Sequence, residues 1–484
     1  LFSYLQSAAA ATASVAGSAV AACLDAAVPA SAGCLRRPFR ASPVLSRVAR
    51  PHDRIRQHVQ PLQPLPYTAQ LELKHRRVAA LIGRLTNCLR SGEAEGGSRA
   101  EALCPVPPVL HPPGRGWWRR NRNSASVLFD PDGWPLVGHS MQVRMFEPGF
   151  PHRRVGFSVE HLASTCPIHA RVFQLFTDFL RSGQSQFDPY DKHRKPDGAW
   201  AGLVARTNHD DELMLEVCYH GQLPAGAEAR LLSELTRQFF PAVLRSGLNL
   251  VSGYSQASSN CFQPVEPRHL FGRDSLHQRL LDRRFKVRPH SFFQNNTVAA
   301  ETLYGYLRQL LAAELPPSSP PRRRLLIDAF CGTGVVGQVL FDSRQFDQLI
   351  GFDSNQSAVR DALDNARLNG LPSNAFQYHC EDAATFFANR LSAIDSCFSA
   401  DSVCCVLNPA RDGLDDASVS AIRACPTVDR IVYISCRPEG QPTDNFLRLL
   451  MPEGSGRPFR LASCQPIDLF PNCRHVELVL DFVR

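Results

Sequence analysis

Apolar positions change rhythm along this chain, and each rhythm predicts an element. Over 67–90 they fall at Leu71, Leu73, Val78, Leu81, Ile82 and Leu85, a helical spacing. A Gly/Ser/Pro-rich stretch follows at 91–116. Between 140 and 260, strand-like runs (200–206, 213–219) mix with helical ones (168–180, 225–240), which predicts a compact α+β module. From about Phe285 strand and helix alternate. RPHSFFQNN leads into a helix over 297–315, and PPSSPP ends it. Strands follow at 325–327, 349–352, 375–378, 403–407 and 431–435, separated by helices that include 355–369 and 417–424. A strand pair near 459–464 and 475–482 closes the series. This pattern predicts a parallel, doubly wound α/β sheet with a hairpin at its end. Its active residues belong at the carboxyl ends of the strands.

The chain divides accordingly into 1–60, 61–104 (a helical segment), 105–284 (the α+β module) and 285–484 (the doubly wound domain). A length of 484 residues, with 44% apolar and 20% charged residues, is ordinary for a globular protein of several domains. No apolar run is long enough for a membrane helix. The net charge of +8 hints at nucleic acid but is unevenly spread. Seven arginines stand against Asp25 and Asp53 in the first sixty residues, leaving the body only mildly basic. That opening segment is Ala/Ser-rich, lacks lysine and is nearly free of acids. It reads as a mitochondrial transit peptide, with a matrix location expected. A secretory signal is the rival, because SVAGSAVAACL is modestly apolar, but the arginines come after it. The sixteen cysteines include no CxxC. They predict a reduced compartment and no metal site.

Four stretches carry candidate chemistry. IDAFCGTGVVG (327–337) is a strand, a glycine turn and a helix start. Gly332, Gly334 and Gly337 allow a backbone to pass close to a ligand, and Asp353, at the end of the next strand, can accept hydrogen bonds from a ribose diol. The glycine spacing also satisfies the dinucleotide fingerprint, so a nicotinamide cofactor is a rival. Asp328 ahead of the loop fits S-adenosyl-L-methionine better. LNPARDGL (407–414) puts Asn408 at a strand end, with Arg411 able to hold a phosphate or an acid. A turn with a surface arginine is the plainer alternative. IVYISCRPEG (431–440) ends a buried strand on Cys436, where packing is the default role of a thiol. HVELVLDF (475–482) sets Glu477 between Val476 and Leu478. A buried carboxylate there would have a raised pKa and a use as a base, whereas an edge strand would simply turn it to water. Cys436, Asn408, Gln294 and Glu477 all fall near strand ends of one sheet.

SFFQNN, DAFCGTGVVG, LNPARDGL, YISCRPEG and PNCRHVELVLDF occur in the order found in the RNA uracil-C5 methyltransferase family, which the chain resembles strongly over 285–484 and loosely over 105–284. NPAR, together with the transit-like start, most resembles the mitochondrial vertebrate branch, which modifies tRNA and small-subunit rRNA. The resemblance implies a class I S-adenosylmethionine-dependent methyltransferase sheet with an added RNA-binding module. It implies Cys436 as nucleophile and Glu477 as base. It places Gln294, Phe330, Gly332, Gly334, Asp353 and Asn408 at the cofactor, with Asn408 where many members carry Asp. A monomer without metal is expected.

The implied chemistry gives a thiol at a strand mouth a purpose. Uracil C5 is too weak a nucleophile to take a methyl group unaided. A thiolate adding at C6 makes C5 electron-rich, and a base later removes the C5 proton. An ordinary thiol is only a few per cent ionised at pH 7, so the site is expected to lower its pKa. The target base must leave its stack. Arg119, Arg120 and Arg122 with Trp117 and Trp118, and Arg283, Arg284, Lys286 and Arg288, are candidate RNA contacts or else a solvated basic face. RNA cytosine-C5 methylation is a rival, but Pro409 is followed by Ala410 rather than cysteine. A binding or assembly factor that kept the fold and lost turnover is the non-enzymatic rival.

Overall fold

The computed structural model describes residues 60–92, 103–114, 119–130, 133–142, 154–159, 162–191, 195–258, 266–312, 323–391, 400–454 and 456–484. The arginine-rich segment 1–59 and the pair Trp117 and Trp118 lie outside the described residues.

Helix α1 spans Tyr67–Gly92. The module is a seven-stranded sheet of β1 (Arg122–Phe129), β2 (Pro135–Gln142), β3 (Arg154–Phe157), β4 (Trp200–Thr207), β5 (Leu213–His220), β6 (Leu250–Ser258) and β7 (Arg268–Gly272), in the order β3-β2-β1-β4-β5-β6-β7. All its pairings are antiparallel except β5 with β6. Helix α2 (Pro167–Arg181) buries Phe173, Phe176 and Phe179 against one face. The helix expected over 225–240 forms in three pieces, α3 (Ala227–Glu234), a π segment (Leu235–Phe239) and α4 (Phe240–Arg245). Pro241 explains the break. It lacks an N–H and its ring crowds the carbonyl four residues back, which an extra residue in the turn relieves.

A two-stranded ribbon, β8 (Leu276–Leu280) and β9 (Arg283–Val287), joins the module to helix α5 (Thr297–Ala312). The boundary drawn at 284/285 falls inside β9, whose Phe285 and Val287 pack with the doubly wound domain.

That domain contains β10 (Arg324–Ala329), α6 (Val335–Leu340), β11 (Gln348–Asp353), α7 (Gln356–Leu368), β12 (Phe376–Cys380), β13 (Ser402–Leu407), α8 (Asp416–Ala424), β14 (Val428–Ser435), α9 (Gln441–Leu450), β15 (Arg460–Ile467) and β16 (Glu477–Val483). The strand order is β12-β11-β10-β13-β14-β16-β15. The first five strands are parallel, and β16 runs antiparallel to both neighbours. The closing hairpin therefore folds back, inserting the last strand between β14 and β15. Alternate β10 residues enter opposite cores, Leu325 and Ile327 one and Leu326 the other. Both faces are covered, as the continuous apolar runs require.

Helix α1 belongs to this domain. Val78, Leu81, Ile82 and Leu85 share a core with Ile327 and Phe482. The buried Lys74 ammonium donates to Asp468 Oδ1 at 2.6 Å and to the Phe470 carbonyl at 2.8 Å, and Tyr67 donates to Asp468 Oδ2 at 2.9 Å. Gln70 and Asn472 bond each other through side chain and backbone. These contacts fix the loop that leads into β16. Lys74→Met leaves a buried carboxylate without its cation and is expected to cost about 3–5 kcal/mol of unfolding free energy. Urea denaturation measures this, and a loss below about 1 kcal/mol contradicts the role given to the pair.

Candidate active site

Topology gathers the site on one rim. Parallel strands β10, β11, β13 and β14 end there at Ala329, Asp353, Leu407 and Ser435. β16 runs the other way, so it begins there, at Glu477. Ser435 is registered with Leu478, and Cys436 and Glu477 are the next residues at this end of the two strands, close enough for the Glu477 charge to act on the thiol. On its other side Glu477 pairs with Ile467 of β15.

The central place of β16 buries Glu477 to 2% exposure, and burial lifts its carboxyl to about 8. A second acid on the strand, Asp481, shows the contrast. It is equally buried, but the Arg430 guanidinium donates to its two oxygens at 2.9 and 3.0 Å. Glu477 has no ion pair among the described residues. Its charge is felt by the Cys436 thiol and by the buried Tyr304 hydroxyl of α5, beside which Gln294 also stands.

Cys436 is half-buried. The lowered thiol pKa expected from the sequence is not what the structure shows. Burial, then the Glu477 charge, push it up; Arg411, by charge and hydrogen bonding to the sulfur, pulls it down without cancelling them. Arg411 therefore stands beside the thiol.

The glycine loop follows β10. Phe330 adopts φ +61° and Gly332 φ +52°. A left-handed phenylalanine is uncommon and marks a conformation imposed by its surroundings. A Cβ on Gly332 would meet nothing within 4 Å, so that position faces open space. Gly334 differs. Its added Cβ would strike Gln338 Nε2 at 2.5 Å and the Tyr378 hydroxyl at 2.9 Å, so its lack of a side chain serves packing. Asp353 Oδ2 accepts from the Gly332 N–H at 3.0 Å, and Oδ1 from the Asn355 N–H at 2.9 Å. Asp328 is fully buried; Oδ2 accepts from the Gly337 N–H at 2.7 Å, and burial, aided by Asp353, lifts the group to about 7. Asp328 Oδ1 and Thr333 Oγ1 are buried with no partner among the described residues. An open glycine cradle, a carboxylate with spare lone pairs and orphaned polar atoms beside it fit an adenosyl ligand carrying a diol. Asn408 stands at the same rim, its N–H directed to the Ala329 carbonyl at 3.5 Å. A cavity of about 600 Å³ elsewhere, lined by Arg283, Arg308, Phe341 and Arg344, contains none of these residues.

No protein-family model matches the chain. Whole-chain comparison is more informative. A mouse protein named tRNA (uracil-5-)-methyltransferase homolog B is 32% identical over 447 residues, covering 89% of this chain and 86% of the mouse protein. The chain belongs to the tRNA (uracil-5-)-methyltransferase family. Human tRNA (uracil-5-)-methyltransferase homolog A is 29% identical, covering 90% of this chain and 68% of that protein. The fold matches the solved Pyrococcus abyssi tRNA (uracil-54, C5)-methyltransferase, in complex with S-adenosyl-L-homocysteine, with a TM-score of 0.58 at 20% identity, over 87% of this chain and 85% of that one. The doubly wound domain is a class I methyltransferase sheet.

In this family member, Cys436 and Glu477 come together, and Phe330, Gly332, Asp353 and Asn408 share their rim. Gln294 reaches it from the loop ahead of α5. The basic candidates divide. Lys286 is tied to Asp274 at 2.9 Å, and Arg288 pairs with Asp361. Arg119 and Arg284 are exposed. Sequence reasoning missed Tyr304, Asp481 and Phe292, which is 66% exposed two residues before Gln294.

The Glu477 shift has a signed consequence. A carboxyl whose folded pKa is raised favours the fold fully below its unfolded value near 4.5, and that contribution is lost as pH rises through about 8. Glu477→Gln removes the titration. Its melting temperature relative to the parent is expected to climb between pH 4.5 and 9, and a flat difference contradicts the assigned burial.

Proposed function

We propose that this chain methylates C5 of uridine in RNA, with S-adenosylmethionine as methyl donor, Cys436 as nucleophile and Glu477 as base. The observation that carries the reading is the half-buried Cys436 thiol, one residue past β14, within reach of the charge of Glu477, a buried carboxylate at the start of β16 with no ion pair among the described residues. Asp353 would hold the ribose diol, the Gly332 backbone would lie along the ligand, and Phe330, Gln294, Gly334 and Asn408 would complete its seat. When bound, S-adenosylmethionine supplies an electrophilic methyl group.

The chain's own residues do the rest. The Cys436 thiolate, its proton released to solvent, forms a bond from Sγ to C6 of an unstacked uracil, and the C5=C6 electrons move toward O4 and C5. C5 would then accept the methyl group, whose bond to the donor's sulfonium sulfur would break as the neutral thioether leaves. Glu477 accepts the C5 proton, the C6–S bond breaks, and the thiolate departs as the C5=C6 bond is restored. Arg411 favours the thiolate at both ends of this sequence. A protonated Glu477 does not repel the thiolate, whereas an ionised one does, so the two charges are best formed in turn. Proton removal requires the carboxylate, so turnover rises with pH through about 8.

Arg119, Arg120, Arg122 and Arg284 would meet RNA phosphates, with tRNA the first substrate to test because the relatives are named for it. Small-subunit rRNA is the second. The acid-poor, arginine-bearing first sixty residues support a mitochondrial location.

RNA carrying 5-fluorouridine tests the mechanism, because fluorine cannot leave as a cation. With cofactor present, the parent chain is expected to form a covalent RNA complex that survives denaturing electrophoresis. Cys436→Ala is expected to form none, and Glu477→Gln to lose about 10²–10⁴-fold in turnover on ordinary RNA while still adding to it. Equal trapping by parent and Cys436→Ala removes the thiol from the reaction.

A further inference from the structure

The loop carrying Gln294 is held from two sides, and one of them is the module. From the doubly wound side, Ser291 Oγ donates to Asp361 Oδ2 at 2.6 Å and accepts from the Arg288 N–H at 2.9 Å, while the Arg288 guanidinium pairs with Asp361. From the module side, Arg206 on β4 is 4% exposed and donates from Nη2 to the Ser291 carbonyl at 3.0 Å. Asn121, just before β1, does more. Its Nδ2 donates to the Gln294 carbonyl at 2.9 Å and to Thr297 Oγ1 at 2.6 Å, and its backbone N–H donates to the Asn295 carbonyl at 2.7 Å. Its own carbonyl accepts from the Thr207 N–H at 2.8 Å. Arg122 and Arg206 are registered partners on β1 and β4, so these anchors come from one ladder.

We propose that Asn121, supported by Arg206, is a positioning residue for Gln294, so that the module forms part of the cofactor site and does not act on RNA alone. This inference rests on the reading of Gln294 as a cofactor contact. Thr297 begins α5, and Asn296 Oδ1 caps that helix by accepting from the Ala299 N–H at 3.1 Å. The amide of Asn121 therefore ties the Gln294 backbone to a fixed helix start. Without that amide, the loop keeps its anchor at Ser291 and the backbone bond to Asn295 but loses the bond to the Gln294 carbonyl.

The test is calorimetric titration of S-adenosylhomocysteine into the full chain as parent, Asn121→Ala, Gln294→Ala and the double variant. Losing two neutral hydrogen bonds that orient one contact is expected to weaken binding about tenfold in Asn121→Ala. The double variant is expected to bind no worse than Gln294→Ala alone, because Asn121 acts through Gln294. In steady state, KM for S-adenosylmethionine rises while kcat at saturating cofactor holds. Asn121→Ser, which keeps one donor, falls between parent and Asn121→Ala and serves where the alanine variant does not fold. Parent-like affinity in folded Asn121→Ala or in Asn121→Ser overturns the inference, as does a double variant whose loss is the product of the two single losses. A parent chain that binds no S-adenosylhomocysteine overturns the cofactor reading itself, and this inference with it.

Discussion

A carboxylate held in the middle of a sheet with no cation beside it is costly unless it stays protonated or has work to do. Among the described residues, Glu477 is such a group. The constraint arises from strand order. Because β16 is inserted between β14 and β15, its first residue has a strand on both sides and a thiol at the end of one of them. An edge position would have left the same acid in water with an ordinary pKa. Four residues on, Asp481 is buried in the same strand and carries a guanidinium partner. The fold can pair a buried acid, and among the described residues Glu477 has no such pair.

The parts outside the sheet act on this pair and on the glycine loop. Helix α1 grips the loop before β16 through Lys74, Tyr67 and Gln70, and Arg77 bridges to Glu439, three residues past Cys436. Both reactive strand ends are therefore braced by one helix. The module, through Asn121 and Arg206, braces the opposite wall, where Gln294 stands. Asp353, by accepting from Gly332, sets the loop between them. The site is built from four stretches far apart in sequence, and each is anchored by hydrogen bonds or charges rather than by apolar contact alone.

Much of this was legible in the residues. Strand–helix alternation after Phe285 gave the class of sheet, because parallel strands buried on both faces are written as unbroken apolar runs, as in Ile431–Ile434. The rim followed, because strand ends are visible wherever an apolar run meets a turn, as at Asn408 and Cys436. Pairing was not legible. Whether β14 meets β15 or β16 depends on contacts between distant segments, and no local period encodes it. The environment of the thiol was misjudged for the same reason. A lowered pKa was expected from the chemistry, but burial and Glu477 outweigh Arg411. Asn121 was hidden inside a basic cluster, where a neutral amide attracts no notice. The π segment at Leu235–Phe239 could have been read from Pro241, and Asp481 from HVELVLDF itself.

The account stands on Cys436 and Glu477 facing each other closely enough for the charge of one to govern the other. The rate of Cys436 alkylation by iodoacetamide, followed site by site with mass spectrometry across pH 6–10, measures this directly. Removing the carboxylate charge in Glu477→Gln should shift the thiol's apparent pKa downward and raise its reactivity above about pH 8, where the parent carboxyl is ionised. An unchanged pH profile in that variant would mean that the two groups do not share a site.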